Sequence, residues 1–214
     1  PQTSTSFIDR FLVTAEAYGI KAILLFNKID LFVGESLIKV NDLIRVYSSI
    51  GYDCLKISAK NCQNLSKVRE LMKHKTSMFS GHSGVGKSTL VNAIEPTLSL
   101  KTMAISETHQ QGQHTTTFAE MFDLGFKARI IDTPGIKGFG IVDIDPYELD
   151  QYFPEIFEIK NNCKFHNCKH LHEPNCAVKE SIKSEKIAIS RYSSYIQMFE
   201  GKDSNYRIES YENL

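Results

Sequence analysis

The sequence predicts an α/β domain with a mixed, mostly parallel sheet and helices on both faces, followed by a small, mostly helical unit. Three observations carry this. Short apolar strands alternate with amphipathic helical stretches from residue 20 to residue 94, the pattern of βα units. A glycine-rich stretch, "GHSGVGKS" at 81–88, separates an apolar strand from a helix. Beyond Pro134 the strand pattern stops, and cysteines and histidines bunch together. The expected division is 1–142 for the α/β domain and 143–214 for the helical unit.

Residues 4–18 read as a helix, with Ser6 and Asp9 as a capping-box-like start and Phe7, Ile8, Phe11, Leu12 and Ala15 on one face. Gly19 ends it. "KAILLFNK" (21–28) is a continuously apolar strand, as expected for one covered on both faces. Residues 36–49 read as helix, 52–58 as strand, 64–74 as helix and 76–81 as strand. Lys87–Ile94 follows as helix, and 95–114 as a polar loop of a length that is usually functional. "FAEMFDLG" and "KARIID" form a hairpin pair around Gly125. A helix rich in Ser, Tyr and Lys covers 185–200, and the polar tail after it frays.

With 42% apolar and 23% charged residues the composition is ordinary for a globular protein. Lys+Arg and Asp+Glu number 25 each, which argues against a surface that grips nucleic acid throughout. The apolar run Ala22–Phe26 is far too short to span a bilayer. The N-terminus lacks the basic and apolar regions of a signal peptide. Of five cysteines, Cys54 and Cys62 stand apart and three cluster with histidines, which reads as reduced, cytoplasmic and metal-binding rather than disulfide-bonded.

Gly81-x-x-x-x-Gly86-Lys87-Ser88 fits a phosphate-binding loop. Its glycines let backbone N–H groups converge on phosphate oxygens, Lys87 adds a point charge, and Ser88 ligates Mg²⁺. The candidate cradle is Gly81, His82, Ser83, Gly84, Val85, Gly86, Lys87, Ser88 and Thr89, with the positive end of the following helix behind it.

Phosphate chemistry does not select a base, but Asn27-Lys28-x-Asp30 can. The two carboxylate oxygens of Asp30 match the adjacent N1–H and amino donors of guanine, which adenine lacks. Lys28 packs over the base, and Asn27 ties loops together. Ser58-Ala59-Lys60 follows the next strand and suits backbone support of the guanine. Asp132-Thr133-Pro134-Gly135 ends "ARIID": Asp132 is placed to hold Mg²⁺, commonly through water, and the Gly135 N–H to reach the γ-phosphate. Among Thr115, Thr116 and Thr117, Thr116 is the candidate to close on Mg²⁺ and the γ-phosphate. Ile136 stands where many related enzymes orient water with Gln. Slow hydrolysis is therefore expected, with water positioned by His114, by His109 in the same loop, or by a partner.

Cys163-x₄-Cys168-x-His170-x₅-Cys176 supplies three thiolates and one imidazole, the count of a closed structural zinc site. His166 and His172 are spare. Residues 158–214 hold nine Lys/Arg and eight Asp/Glu, so no basic stripe is evident, although Lys164, Lys169, Lys179, Lys183 and Lys186 can share a face.

The order is base loop, support loop, phosphate loop, first switch, second switch, a rotation of the usual arrangement. The segment 72–76 would splice the old ends. The whole chain closely resembles the RsgA/YjeQ family of ribosome small-subunit-dependent GTPases, on "FNKID", "SAK", "SGHSGVGKSTLVNAI", "QGQHTTTF", "IIDTPGIKGFG" and the Cys/His cluster. The resemblance implies a circularly permuted P-loop GTPase domain followed by a zinc-binding domain. It implies GTP/GDP, Mg²⁺ and one structural Zn²⁺, and a monomer working on the small ribosomal subunit and its rRNA, without membrane or DNA. It also implies low intrinsic hydrolysis raised by that particle, with His114, Lys87 and Thr116 at the chemistry. Family members carry an N-terminal OB-fold, and this sequence begins after the point where that barrel should end. The second switch runs through 136–153 into the zinc unit, so nucleotide state is expected to pull on that unit. Three alternatives remain. They are an ATP-using P-loop enzyme, a nucleotide-supported interaction module with little hydrolysis, and a permuted GTPase of the large subunit.

Overall fold

The computed structural model describes residues 3–98, 120–132 and 144–201. The chain runs α1 (Thr5–Ala17), β1 (Ile23–Phe26), α2 (Glu35–Ser49), β2 (Asp53–Lys56), α3 (Leu65–Met72), β3 (Thr76–Met78), α4 (Lys87–Ile94), β4 (Glu120–Leu124), β5 (Ala128–Asp132), α5 (Pro154–Ile159), α6 (Ala177–Lys183) and α7 (Ile189–Phe199). Short 3₁₀ stretches sit at Ile29–Leu31, Pro96–Leu98, Pro146–Tyr152 and Lys160–Asn162. By packing, the chain divides into two compact units.

One unit holds Ile23–Arg45 and the chain from Asp53 through β5. β1 and β2 pair in parallel, Ile23 opposite Asp53 and Phe26 opposite Lys56. The pairing continues past the strands, where Ile57 N–H donates to Phe26 O (2.9 Å) and Ile29 N–H to Ile57 O (3.2 Å). A second sheet has the order β3–β5–β4, with β3 parallel and β4 antiparallel to β5. The β4–β5 hairpin turns through residues 125–127, and its left-handed residue is Lys127 (φ 61°), not Gly125. Gly125 instead donates its N–H to Glu95 Oε2 (2.9 Å).

The core of this unit is apolar: Leu65, Val68 and Met72 of α3, Leu90, Val91 and Ile94 of α4, and Leu124, Ala128 and Ile130 of the hairpin. On α3 these positions are spaced by three and four residues, and on α4 they fall at i, i+1 and i+4, so each helix buries one stripe. Arg69 Nε donates to Ile94 O at 3.0 Å, satisfying a carbonyl that the last turn of α4 leaves unpaired.

The other unit gathers α1, Val46–Tyr52 and the described residues from Ile144 onward. α1 belongs here by packing although it opens the chain. Its N-cap is Ser4, whose Oγ accepts from Phe7 N–H at 3.3 Å. Asp9 is not the partner of a cap. It is fully buried beside Arg191 of α7, so the capping box expected from Ser6 and Asp9 does not form. A buried guanidinium attracts the carboxylate more strongly than exposed backbone N–H groups do. Leu12 and Val13 lie on the same buried face.

Among the described residues Arg191 is the largest fully buried side chain, and its Nε and Nη2 reach Glu155 Oε1 (2.7 Å) and Oε2 (3.2 Å). Burial alone would lower its pKa, but Glu155 and Asp9 outweigh that and hold it above its ordinary value. Around this network pack Val13, Leu149, Phe153, Ile156, Val178, Ile187, Tyr195 and Met198. α7 starts at Ile189 rather than 185, because Lys186 N–H and Ile187 N–H both donate to Ser181 O (2.9 and 3.1 Å) and close the end of α6.

Candidate functional site

Two parallel strand pairs bring the predicted loops to strand C-terminal ends, where open α/β sheets bind ligands. β1 leads into Asn27–Asp30 and β2 into Ser58–Lys60. β3 leads toward Gly81 and lies beside β5, with Met78 opposite Ile131, one residue before Asp132. The side chain of Asp132 and all of His114, Thr116 and Gly135 lie outside the described residues.

Asn27 joins three of these loops. Its Nδ2 donates to Val85 O (3.0 Å), and its Oδ1 accepts from Lys28 N–H (2.8 Å) and Ala59 N–H (3.0 Å). Lys28 takes a left-handed backbone (φ 65°) and donates Nζ to Gly84 O (2.7 Å). The base loop and phosphate loop are thus held together by side chains reaching backbone carbonyls. The sequence names these residues but not their acceptors, because every residue carries a carbonyl.

Gly86 has φ 99°, and a Cβ there would sit 2.5 Å from Asn27 Nδ2. Glycine is required twice, for the left-handed backbone and for the close approach. Lys87 opens α4 and folds its Nζ back onto Gly81 O (2.5 Å) and His82 O (2.9 Å). Burial lowers the Lys87 pKa, and burial followed by the Lys87 charge lowers that of His82. Ser88 is half-buried behind it, while Ser83, Thr89 and Lys60 are exposed. Fully buried Ser58 donates Oγ–H to Asp30 Oδ1 (2.5 Å) and accepts from Asn61 N–H (3.1 Å). One carboxylate oxygen of Asp30 is anchored while the residue stays exposed, an arrangement that can present an acceptor to a base.

The Cys/His cluster also assembles. One ligand atom from each of Cys163, Cys168, His170 and Cys176 lies within 4.8 Å of the others. Cys163 Sγ is 3.6 Å from His170 Nδ1 and 3.9 Å from Cys176 Sγ, and His170 Nδ1 is 3.4 Å from Cys176 Sγ. A tetrahedral zinc with S and N ligands has edges of about 3.8 Å between sulfurs and about 3.5 Å between sulfur and nitrogen. The donor set fits that ion. Without a cation, burial pushes the Cys168 thiol up to about 12 and raises that of Cys176, so thiolates here need positive charge beside them. Two carboxylates near the cluster escaped the sequence reading. Glu173 accepts from the N–H groups of Lys169 (2.6 Å), Leu171 (2.9 Å) and His172 (3.1 Å), bracing the loop between ligands. Asp150 faces the His170 ring. Glu173-Pro174 inside the ligand spacing was a readable signal for the first, whereas the second had none.

A phosphate loop, a base-reading loop that precedes it in the chain, and an appended Cys₃His centre define a circularly permuted P-loop GTPase fold with a zinc-type appendage. The profile of the RsgA GTPase family matches residues 1–142. The chain belongs to that family. It is 62% identical over 212 residues to the small ribosomal subunit biogenesis GTPase RsgA of Christiangramia forsetii, covering 99% of this chain and 67% of that protein. It superposes on the crystal structure of YjeQ from Thermotoga maritima with TM-score 0.79 at 38% identity, covering 94% of this chain and 66% of the other. For YloQ, described as a circularly permuted GTPase, the TM-score is 0.76 at 33% identity, covering 96% and 65%. The chain spans about two thirds of the length of the curated relatives it matches.

Proposed function

We propose that this chain binds GTP and GDP with Mg²⁺, hydrolyses GTP slowly, and assists late maturation of the small ribosomal subunit, which stimulates it. The observation that carries the nucleotide reading is the Asn27 bridge, which makes one site of base loop, support loop and phosphate loop. Asp30 reads guanine, Lys87 and the loop amides hold the phosphates, and Ser88, Thr116 and Asp132 hold magnesium. That ion neutralises charge on the β- and γ-phosphates. His114 positions the attacking water, in place of the glutamine that Ile136 replaces. The functional division is 1–142 and 143–214, in keeping with the extent of the family match.

The ribosomal reading rests on the relatives' names and on the surface of the second unit. Exposed Phe157 and Phe165 each carry a lysine over the ring, Lys160 at 5.0 Å and Lys164 at 5.5 Å. Such pairs can stack on RNA bases and meet phosphates. Lys160 also donates to Asp150 Oδ1 at 3.1 Å, and Lys169 and Lys179 bond to Tyr147 O and Leu171 O. The protein works as a monomer in the cytoplasm, without membrane or DNA. Among the described residues no helix is long and apolar enough to cross a membrane.

GTP turnover is measured with the chain alone and with purified small subunits, for wild type and His114→Ala. Stimulation abolished by the substitution supports the reading. Tight GDP binding without turnover in either setting replaces it with a nucleotide-supported binding module. The connection from second switch to zinc unit is tested by hydrogen exchange: identical protection of 144–201 with GDP and a GTP analogue rejects it.

A further inference from the structure

His170 is held more firmly than ligation alone requires. It is fully buried, with a left-handed backbone (φ 61°), and its carbonyl accepts from Tyr192 OH at 2.5 Å. Nδ1 faces the cysteine sulfurs, so the opposite ring nitrogen, Nε2, points away from them. Nε2 makes no hydrogen bond and lies 3.7 Å from Asp150 Oδ2.

Chemistry assigns a need to that nitrogen. A neutral imidazole carries one N–H, and if Nδ1 gives its lone pair to a metal, the hydrogen must be on Nε2. A buried N–H without an acceptor costs about 1–3 kcal/mol. Asp150 can meet that need by closing from 3.7 Å to about 3 Å. Its side chain is only 13% exposed, and its other oxygen, Oδ1, takes an ammonium hydrogen from Lys160 Nζ at 3.1 Å. Glu173 cannot serve, since its two oxygens are spent on three backbone N–H groups.

We infer that Asp150 is a positioning residue of the metal centre, accepting the Nε2 hydrogen of His170 and fixing Nδ1 as the ligating atom. The inference rests on the Cys₃His cluster being a zinc site. Lys160 holds Asp150, Asp150 holds His170, and His170 faces the metal position. Asp150 belongs to the 3₁₀ stretch Pro146–Tyr152, whose Leu149 is already in the core. Metal loading therefore pins that stretch at two adjacent residues, one by apolar packing and one by charge.

The test uses the full chain as Asp150→Ala and Asp150→Asn, with Glu148→Gln as a control from the exposed side of the same stretch. Zinc affinity is read by competition with a chromophoric chelator. Asp150→Ala is expected to weaken it about 10–100-fold, the usual effect of losing such a partner. Asp150→Asn weakens it less, and Glu148→Gln leaves it unchanged. In zinc-loaded wild type the His170 ring N–H gives a slowly exchanging ¹⁵N–¹H signal, which Asp150→Ala speeds up. A purely structural role would not move that signal selectively. Unchanged affinity and unchanged ring N–H exchange in a folded Asp150→Ala overturn the inference. If Asp150→Ala does not fold, wild-type values of both in Asp150→Asn do so. Failure of the wild type to take up one zinc, or uptake unaffected by Cys176→Ala, sinks the zinc reading itself and is told apart by that result.

Discussion

Arg191 Nη1 lies 2.7 Å from Asp9 Oδ1, an ion pair between residues 182 positions apart, and Tyr47 OH donates to the same Asp9 oxygen at 2.7 Å. With Glu155 on the other side of the guanidinium, one cation serves two buried carboxylates. α1, α2, α5 and α7 all contribute a member. The network holds the opening helix of the chain in the unit built mostly from its C-terminal part.

Removing the cation leaves two uncompensated buried charges. Arg191→Ala is expected to destabilise the protein by about 3–5 kcal/mol. Urea unfolding followed by tyrosine fluorescence measures it, and a loss under about 1 kcal/mol would mean the carboxylates find water.

Asn27→Ala removes two hydrogen bonds between loops, to Val85 O and from Ala59 N–H, and one within the base loop, each worth about 1 kcal/mol. GTP and GDP affinity should fall together, by about 10–100-fold, and folding stability should fall by about 1–3 kcal/mol. Calorimetric titration checks this. A selective loss for GTP alone would place the role of Asn27 at the γ-phosphate instead.

Gly86→Ala should abolish nucleotide binding while circular dichroism stays that of the wild type. The added methyl group drives into Asn27 Nδ2 from a backbone conformation that alanine disfavours. Near-normal affinity would show that the loop relaxes away from the base loop at no cost.

Glu95 supplies a pH signature. The Thr97 hydroxyl first, and then the Gly125 N–H, hold its carboxyl below the ordinary value of 4.5. A depressed folded-state pKa stabilises above the unfolded value and loses that contribution as pH falls through the folded one. Wild type should therefore melt higher than Glu95→Gln at neutral pH, with the gap closing below about pH 4.5. A gap that widens on acidification contradicts the assignment.

Much of the site was legible because its signals are local. Lys87–Ile94 forms the helix expected from its apolar spacing and the glycine before it. That Cys163, Cys168, His170 and Cys176 come together as a cluster compatible with zinc was readable from residue type and spacing, since a short loop can bring such donors together with few alternatives. The boundaries of β2 and β3 were less legible: β2 covers only Asp53–Lys56 and β3 only Thr76–Met78, each shorter than the stretch expected from the sequence, because residue type does not mark where regular pairing stops.

By itself the sequence determined the order of the nucleotide loops, the strand–loop–helix around Lys87 and the metal donor set. Each is written in residues close together in the chain or in residue types with little other use. Only the tertiary structure decided that Asp9 answers Arg191 rather than a helix cap, that Asn27 reaches Val85 O, and that Asp150 faces His170. Those partners are chosen by burial, which makes an unpaired polar group costly wherever it falls and so rewards contacts that no spacing along the chain encodes.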